Sequence, residues 1–380
     1  MNNEFSKILS GVKPYILSVA VVNLDNVVKN YEKIKGQLPE KTQIFAVLKA
    51  DAYGFGAIPI SERLYSEGCR GFLVATVEEG LEIRKNLPHD AHIFILSGLF
   101  ADTEDIFIRH KLTPVLNNKY QSDLWINYAK KLNKKLDAVL HVDTGISRNG
   151  AIFREVQDNF HGIRDNLNLV FVMSHLACAD TPDHPLNKLQ LKRFKDIMQI
   201  FKGVKGCLSA TNGMFLGEDY FFDIVRPGKA LYGFSVREDK VGSMTPVMDI
   251  FSRIVQINYL KAGDSVGYGA TFTADRDVTA ITIGMGYADG FMRKFSGFGH
   301  GFLGRKKIPM IGRISMDYIV LDASEVEESQ LKLGNWVALT NDDDYTLEKW
   351  SLELNTIPHE IACRFGSRVK KIYVGDKSAR

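Results

Sequence analysis

Eight short apolar runs, at residues 44–48, 71–75, 92–96, 113–116, 137–142, 169–174, 206–209 and 223–225, are separated mostly by segments of helical period. Short apolar runs bounded by turn residues read as buried strands. Repeated strand–helix alternation needs a parallel sheet with helices on its faces, either open and doubly wound or closed as a barrel. The count favours the barrel, although the span from residue 44 to about 232 is near the short end for one. Two intervening helices carry clear signals. Residues 77–87 open on Val77-Glu78-Glu79 and stop before Pro88, and residues 186–201 place Leu186, Leu189, Leu191, Phe194, Ile197, Met198 and Phe201 at helical spacing. After about residue 240 the texture changes: runs such as 278–283 and 317–322 alternate, and glycines punctuate them at intervals of about 8–12 residues. That pattern predicts an antiparallel β domain. The fold expected is α/β, a (β/α)8 TIM-type barrel over residues 10–240 followed by a C-terminal antiparallel β domain over 241–375, with Arg237–Thr245 as the linker.

Bulk properties narrow the function. A chain of 380 residues exceeds the usual single-domain size, and 45% hydrophobic with 24% charged residues is ordinary for a globular protein. The net charge of +3 has no basic block behind it, so nucleic acid is not an expected partner. Cys69, Cys178, Cys207 and Cys363 lie far apart with no Cys-x-x-Cys pair, which predicts no metal site or disulfide framework and fits a reducing compartment. The apolar stretch Pro14–Val22 follows a lysine, yet no small-x-small cleavage pattern comes after it, and no run approaches the roughly 18 residues of a membrane span. The expectation is a cytoplasmic protein with no membrane partner.

The barrel reading makes a sharper prediction: catalytic residues sit where strands end, and phosphate binds in the loops after strands seven and eight. Lys49 closes the first run, ahead of the glycine-punctuated turn Ala50-Asp51-Ala52-Tyr53-Gly54-Phe55-Gly56. An amine facing a cavity from an apolar wall is desolvated, which lowers its pKa and favours nucleophilic, Schiff-base chemistry. His141 to Arg148 follow the fifth run, and Ser174-His175 end the sixth. Asn212-Gly213 follow the seventh, and Arg226-Pro227-Gly228-Lys229 the eighth. Each alone has a plain structural explanation. Lys49 can snorkel, His175 can be a hydrogen-bonded core residue, Arg148 and Arg226 can form ion pairs, and Asn-Gly is an ordinary turn. Five such coincidences at one rim favour function. Glycines 213 and 228 would let backbone amides approach a phosphate closely.

The segments Ala46–Gly56, Val142–Gly150, Ser174–Leu176, Arg226–Gly233, Val266–Phe272, Gly286–Gly290 and Gly312–Asp317 resemble, in order, the motifs of pyridoxal-phosphate-dependent alanine racemases. The similarity covers roughly residues 10 to 374. It implies that residues 10–22 pair with the β domain and that Lys49 holds pyridoxal 5'-phosphate as an imine. It also implies that Tyr53, about one helical turn later, contacts the phosphate with Asn212, Gly213, Gly228 and Lys229, and that Arg226 faces the pyridine nitrogen. An arginine there cannot accept a proton, so the ring is a weaker electron sink than with a carboxylate. Lys49 and Tyr268 would then be the two bases on opposite faces of the substrate, interconverting L- and D-alanine for peptidoglycan. Tyr268 ordinarily has a pKa near 10 and needs nearby cations or hydrogen-bond partners, with His175 and Arg226 the candidates. Arg148 and the Met316 N–H would bind the substrate carboxylate, and Tyr287 would wall the pocket. Because Tyr268, Met316 and Tyr287 lie in the β domain, the resemblance implies a homodimer with shared active sites.

One departure stands out. Many family members have, at the position of His141, a lysine that becomes carbamylated and braces the arginine matching Arg148; histidine cannot form that carbamate. Asp143, Asn149 or a bound anion are the open replacements. Rival readings are an amino-acid racemase of broader or shifted specificity, a non-catalytic pyridoxal-phosphate-binding barrel, and a decarboxylase of the same lineage. Two further signals read as unrelated to function: Gly297–Gly304 as a β-domain loop or hairpin, and Asn341-Asp342-Asp343-Asp344 as a solvated turn.

Overall fold

The computed structural model describes residues 3–235, 243–341 and 345–375, and the chain divides into two compact units. Most of the expected linker and residues 342–344 of the acidic turn lie outside the described residues. One unit spans Asn26–Thr245; the other joins the chain up to Asp25 with the segment that starts at Pro246.

Strand β1 (Ser18–Asn23) belongs to the second unit, and the first is built on eight parallel strands. They are β2 (Gln43–Val47), β3 (Gly71–Val74), β4 (His92–Ile95), β5 (Leu112–Leu116), β6 (Leu136–His141), β7 (Leu167–Met173), β8 (Lys205–Cys207) and β9 (Ile224–Val225). Neighbours in sequence pair in space from β2 through β8, and β9 returns to pair with β2. The seam between β8 and β9 is carried by Asp223 N–H to Gly206 O at 3.1 Å and Arg226 N–H to Ser209 O at 2.9 Å, with a parallel bridge between Ala210 and Arg226. This closes the barrel. Its interior is packed, with Phe45, Phe94 and Phe171 meeting at ring separations of 5.0 to 5.7 Å among Val47, Leu73, Val115, Val139 and Ile224. A filled lower barrel leaves chemistry to the rim.

The helical partners are less regular than the alternation predicts. Between β8 and β9 there are only two 3-10 turns, Asn212–Phe215 and Glu218–Tyr220, and β9 is followed by a third, Lys229–Tyr232. The helix Pro185–Ile200 also turns a different face inward. It buries Asn187, Gln190, Phe194 and Ile197, while Leu189 is exposed. The Asn187 amide donates to the carbonyls of Cys178, Thr181 and Pro182, so a polar staple to the preceding loop takes the place a leucine stripe would fill.

The second unit holds β10 (Met248–Leu260), β11 (Ser265–Val266), β12 (Phe272–Thr273), β13 (Val278–Ile283), β14 (His300–Leu303), β15 (Lys306–Pro309), β16 (Ile319–Asp322), β17 (Trp336–Ala338) and β18 (Lys370–Val374). The long β10 pairs antiparallel with β1, β13 and β17. The sheet is antiparallel except for β1 and β18, which run parallel. Leu9, from the helix Asn3–Ser10, packs with Val19, Val21, Phe251 and Trp336 on one face. The Gly297–Gly304 stretch runs into the hairpin β14–β15.

Candidate active site

Lys49 follows β2 directly, and Val47 and Leu48 are tied to the neighbouring strand ends, Val47 N–H to Pro227 O at 3.0 Å and Leu48 N–H to Leu73 O at 2.8 Å. The turn after it is helical but left-handed: Ala50, Asp51, Ala52 and Tyr53 have φ between 52° and 57°. For residues with a β-carbon this conformation costs roughly 1–2 kcal/mol each. Four in succession persist only where the surroundings hold them. The Asp51 carboxylate accepts from Ala57 N–H at 2.7 Å, and Gly56 N–H donates to Asp51 O at 2.9 Å. The turn places the Tyr53 ring 5.8 Å from the Lys49 amine and 4.9 Å from the Tyr232 ring. A β-carbon at Gly228 would lie 2.5 Å from the Tyr53 hydroxyl, so only glycine lets that hydroxyl rest against the loop after β9.

Arg226 ends β9 and is almost fully buried, at 3% exposure. Its guanidinium donates to the carbonyl of Ser174, to Leu208 O at 3.4 Å and to His175 Nδ1 at 3.1 Å. Burial pulls its pKa below the usual arginine value, but a guanidinium remains a cation with no acceptor lone pair. His175 Nδ1 must therefore accept, and the ring's proton sits on Nε2. Burial and the charges of Arg226 and Arg148 hold His175 well below the ordinary histidine range. It is a neutral hydrogen-bonding group and not one of the cations sought for Tyr268.

His141 takes the opposite tautomer. The Asn117 amide nitrogen donates to Leu96 O at 2.9 Å and Val115 O at 3.0 Å, which leaves its Oδ1 to accept from His141 Nδ1 at 2.8 Å. Burial and the Arg226 charge push the His141 pKa down to about 3, with Asp143 opposing and Arg148 reinforcing. His141 Nε2 is thus an unprotonated acceptor, buried and without a hydrogen-bond partner among the described residues. Asp143 is committed elsewhere: its carboxylate accepts from the N–H groups of Gly145, Ile146 and Ser147 at 2.8 to 3.2 Å. Arg148, next in this loop, is exposed.

In the β unit, Tyr268 stands on the tight connection between β11 and β12 and is 73% exposed. Tyr287 N–H donates to Ser315 O at 3.1 Å and Ala288 N–H to Met316 O at 3.0 Å, so the turns bearing Tyr287 and Met316 lie side by side. Among the described residues the Met316 N–H has no acceptor. Arg368 clamps this pair of turns through Asp289 at 2.9 Å and Asp317 at 2.8 Å.

Residues 22–236 match the family model of the alanine racemase N-terminal domain, and residues 247–373 that of its C-terminal domain. The chain belongs to the alanine racemase family. It is 36% identical over 362 residues to the alanine racemase of Rickettsia africae, covering 94% of this chain and 99% of that protein. To the Rhodospirillum rubrum enzyme it is 37% identical over 360 residues, covering 94% and 96%. The fold matches the crystal structure of the Bartonella henselae alanine racemase with covalently bound pyridoxal phosphate, at TM-score 0.88 and 35% identity over 94% of this chain and 99% of that one.

For an alanine racemase the rim has the donor set that pyridoxal 5'-phosphate needs. An amine lies 5.8 Å from the centre of a tyrosine ring, and the hydroxyl of that ring rests against Gly228. The orphaned Nε of Arg226 and Oδ1 of Asn212 are buried polar atoms of the kind a bound group satisfies. The sequence reading missed two residues that support this rim. Gln190 Nε2 donates to Thr144 Oγ1 at 3.2 Å and His175 O at 2.9 Å, while its Oε1 accepts from Ala177 N–H at 2.9 Å. Asn117, which sets the His141 tautomer, is the other. Their signal was a glutamine inside a leucine-rich helix and an asparagine at a strand end, neither of which stands out without coordinates. Among the described residues no group of His, Cys, Asp or Glu could hold a metal ion, and no helix is long and apolar enough to cross a membrane.

Proposed function

We infer that this chain interconverts L- and D-alanine with pyridoxal 5'-phosphate as cofactor, supplying D-alanine for peptidoglycan. The observation that carries the residue assignment is the Lys49–Tyr53–Gly228 cluster together with a buried Arg226 whose guanidinium, among the described residues, bonds two carbonyls and a histidine and no carboxylate. When bound, pyridoxal 5'-phosphate supplies the electron sink that lets a proton leave the substrate Cα. Lys49 would anchor it covalently. The Tyr53 hydroxyl, Asn212, Gly213, Gly228 and Lys229 would hold its phosphate, and Arg226, itself bonded to His175, would donate to its ring nitrogen.

Arg148 and the Met316 N–H bind the substrate carboxylate, and Tyr287 narrows the pocket around the methyl group. His141 offers Nε2 as a neutral acceptor within the electrostatic reach of Arg148, which makes it a further candidate for the brace. Lys49 moves the proton on one face of Cα, serving as base for D-alanine, and Tyr268 does so on the other face for L-alanine. Inversion through a planar centre needs an acid on the face opposite the base. The reading places Tyr268, Tyr287 and Met316 at the barrel mouth of a second copy, in a cytoplasmic homodimer with two shared sites. Exposure of Tyr268 and Met316 in the single chain supports that placement.

Chiral analysis of products from a panel of L-amino acids tests the activity. Alanine should racemise far faster than serine or longer amino acids. Comparable turnover across the panel would point to a broad-specificity racemase, and no D-alanine at all would overturn the reading.

A further inference from the structure

The strained turn after Lys49 has a clamp outside its own segment. Glu79 is the third residue of the helix Val77–Arg84, whose capping residue Thr76 accepts from the Glu79 N–H at 3.4 Å. In the usual reciprocal cap, the third residue's carboxylate returns to the N–H of the capping residue. Here it does something different. Glu79 Oε2 accepts from the Ala75 N–H at 2.7 Å, and Oε1 reaches across to the Ala50 N–H, also at 2.7 Å. One carboxylate thus ties the end of β3 to the first residue after Lys49.

We propose that Glu79 is a positioning residue for Lys49 and Tyr53, holding the left-handed turn that sets the amine and the phenol hydroxyl at a fixed separation. The chemistry requires a carboxylate. Two backbone N–H donors are held by two oxygens, both acceptors; an amide would put its own N–H2 against one of the donors. Ala50 is bonded at the point where the chain leaves strand geometry, so releasing its N–H frees Lys49 on one side and the run Asp51–Tyr53 on the other. The proposal rests on the assignment of Lys49 and Tyr53 as anchors of pyridoxal 5'-phosphate.

The test is titration of cofactor-stripped protein with pyridoxal 5'-phosphate, followed by visible absorbance, on wild type, Glu79→Gln, Thr76→Ala and Lys49→Ala, with Tm measured in parallel. Glu79→Gln should raise the half-saturating concentration by about tenfold or more, the scale on which lost support behind a bound group commonly acts. Its kcat should fall with KM for alanine little changed. Thr76→Ala weakens the cap of the same helix without touching Ala50, so it should lower Tm while leaving the titration at its wild-type midpoint. Glu79→Asp keeps the charge on a shorter stem and should fall between wild type and Glu79→Gln; it carries the test if the glutamine variant does not fold. A wild-type midpoint in both Glu79 variants, or an equal shift in Thr76→Ala, overturns the proposal. A wild type without the band, or Lys49→Ala with it, instead overturns the cofactor assignment beneath it.

Discussion

The barrel rim and the turns of the β unit hold their proposed functional groups in contrasting ways. At the rim, Arg226 and His141 are buried and His175 is half-buried, and hydrogen bonds to neighbouring strand ends set their protonation states and directions. In the β unit Tyr268, Met316 and Tyr287 stand on turns, with Tyr268 and Met316 more than half exposed, and only the backbone beneath them is clamped. The rim is a preorganised site, in which fold and chemistry share the same hydrogen bonds. The β unit presents its groups on exposed turns, so they can be replaced without loosening the fold.

The largest expected effect comes from Lys49→Ala. It should abolish both the visible absorbance and racemisation, because it removes the amine that stands against the Tyr53 ring. Retention of the absorbance would remove Lys49 from the centre of the site.

Tyr268→Phe comes next and sharpens the contrast. Loss of a positioned acid–base group costs about 10²–10⁴-fold in rate, and the loss should fall on proton removal from L-alanine far more than from D-alanine, read by isotope washout. Stability should stay within about 0.5 kcal/mol of wild type, as for an ordinary surface substitution. Mixing Tyr268→Phe chains with Lys49→Ala chains should restore activity through one intact site per mixed dimer. No recovery would count against sharing.

Glycine substitutions separate the units by mechanism. At Gly286 an added β-carbon would lie 2.3 Å from the Met316 carbonyl oxygen, a backbone atom that cannot move aside. Gly286→Ala should therefore destabilise by about 1–3 kcal/mol or more, the range of overpacking strain. At Gly228 the clash is with the end of the Tyr53 side chain, so Gly228→Ala should weaken cofactor binding more than it lowers Tm. The reverse ranking would break the contrast.

The effect least tied to the contrast is a pH slope present in both units. His141, His175 and the β unit's His300 all have pKa values held below the ordinary histidine value, the first to about 3 and the last to about 4. The unfolded chain takes up these protons below about pH 6.5 while the folded chain does not, so their contribution is intact above that pH. It declines as pH falls towards each folded pKa, by about 1.4 kcal/mol per pH unit per group. Urea midpoints between pH 7 and 4.5 should show this fall, and His300→Gln should flatten it. An unchanged slope in that variant would exclude His300 from the effect.

Much of the rim was legible from strand ends alone, because in a parallel barrel the residue following an apolar run is delivered to one face. Lys49, His141, His175, Asn212 and Arg226 were all found that way; the structure makes His141 the last residue of β6 and puts the other four after their strands. The left-handed turn was not legible. Ala-Asp-Ala-Tyr is an ordinary helical string, and its opposite hand is imposed by contacts such as Glu79, which in sequence is one more acidic residue at a helix start. Gln190 was hidden for a similar reason: leucines around it suggested an apolar face, and the buried stripe turned out to run through polar groups with loop carbonyls to satisfy.

The order of apolar runs, their helical or alternating spacing and the polar residues that end them determined the architecture and the inventory of chemical groups, because these depend on local periodicity and chain direction. The hand of the Lys49 turn and the opposite tautomers of His141 and His175 were decided only in the tertiary structure. So was the orphaned acceptor on His141 Nε2. Each depends on a donor or acceptor brought in from elsewhere in the chain, Glu79 for Ala50, Asn117 for His141 and Arg226 for His175, and no local pattern encodes which of two protons or two hands such a partner will select.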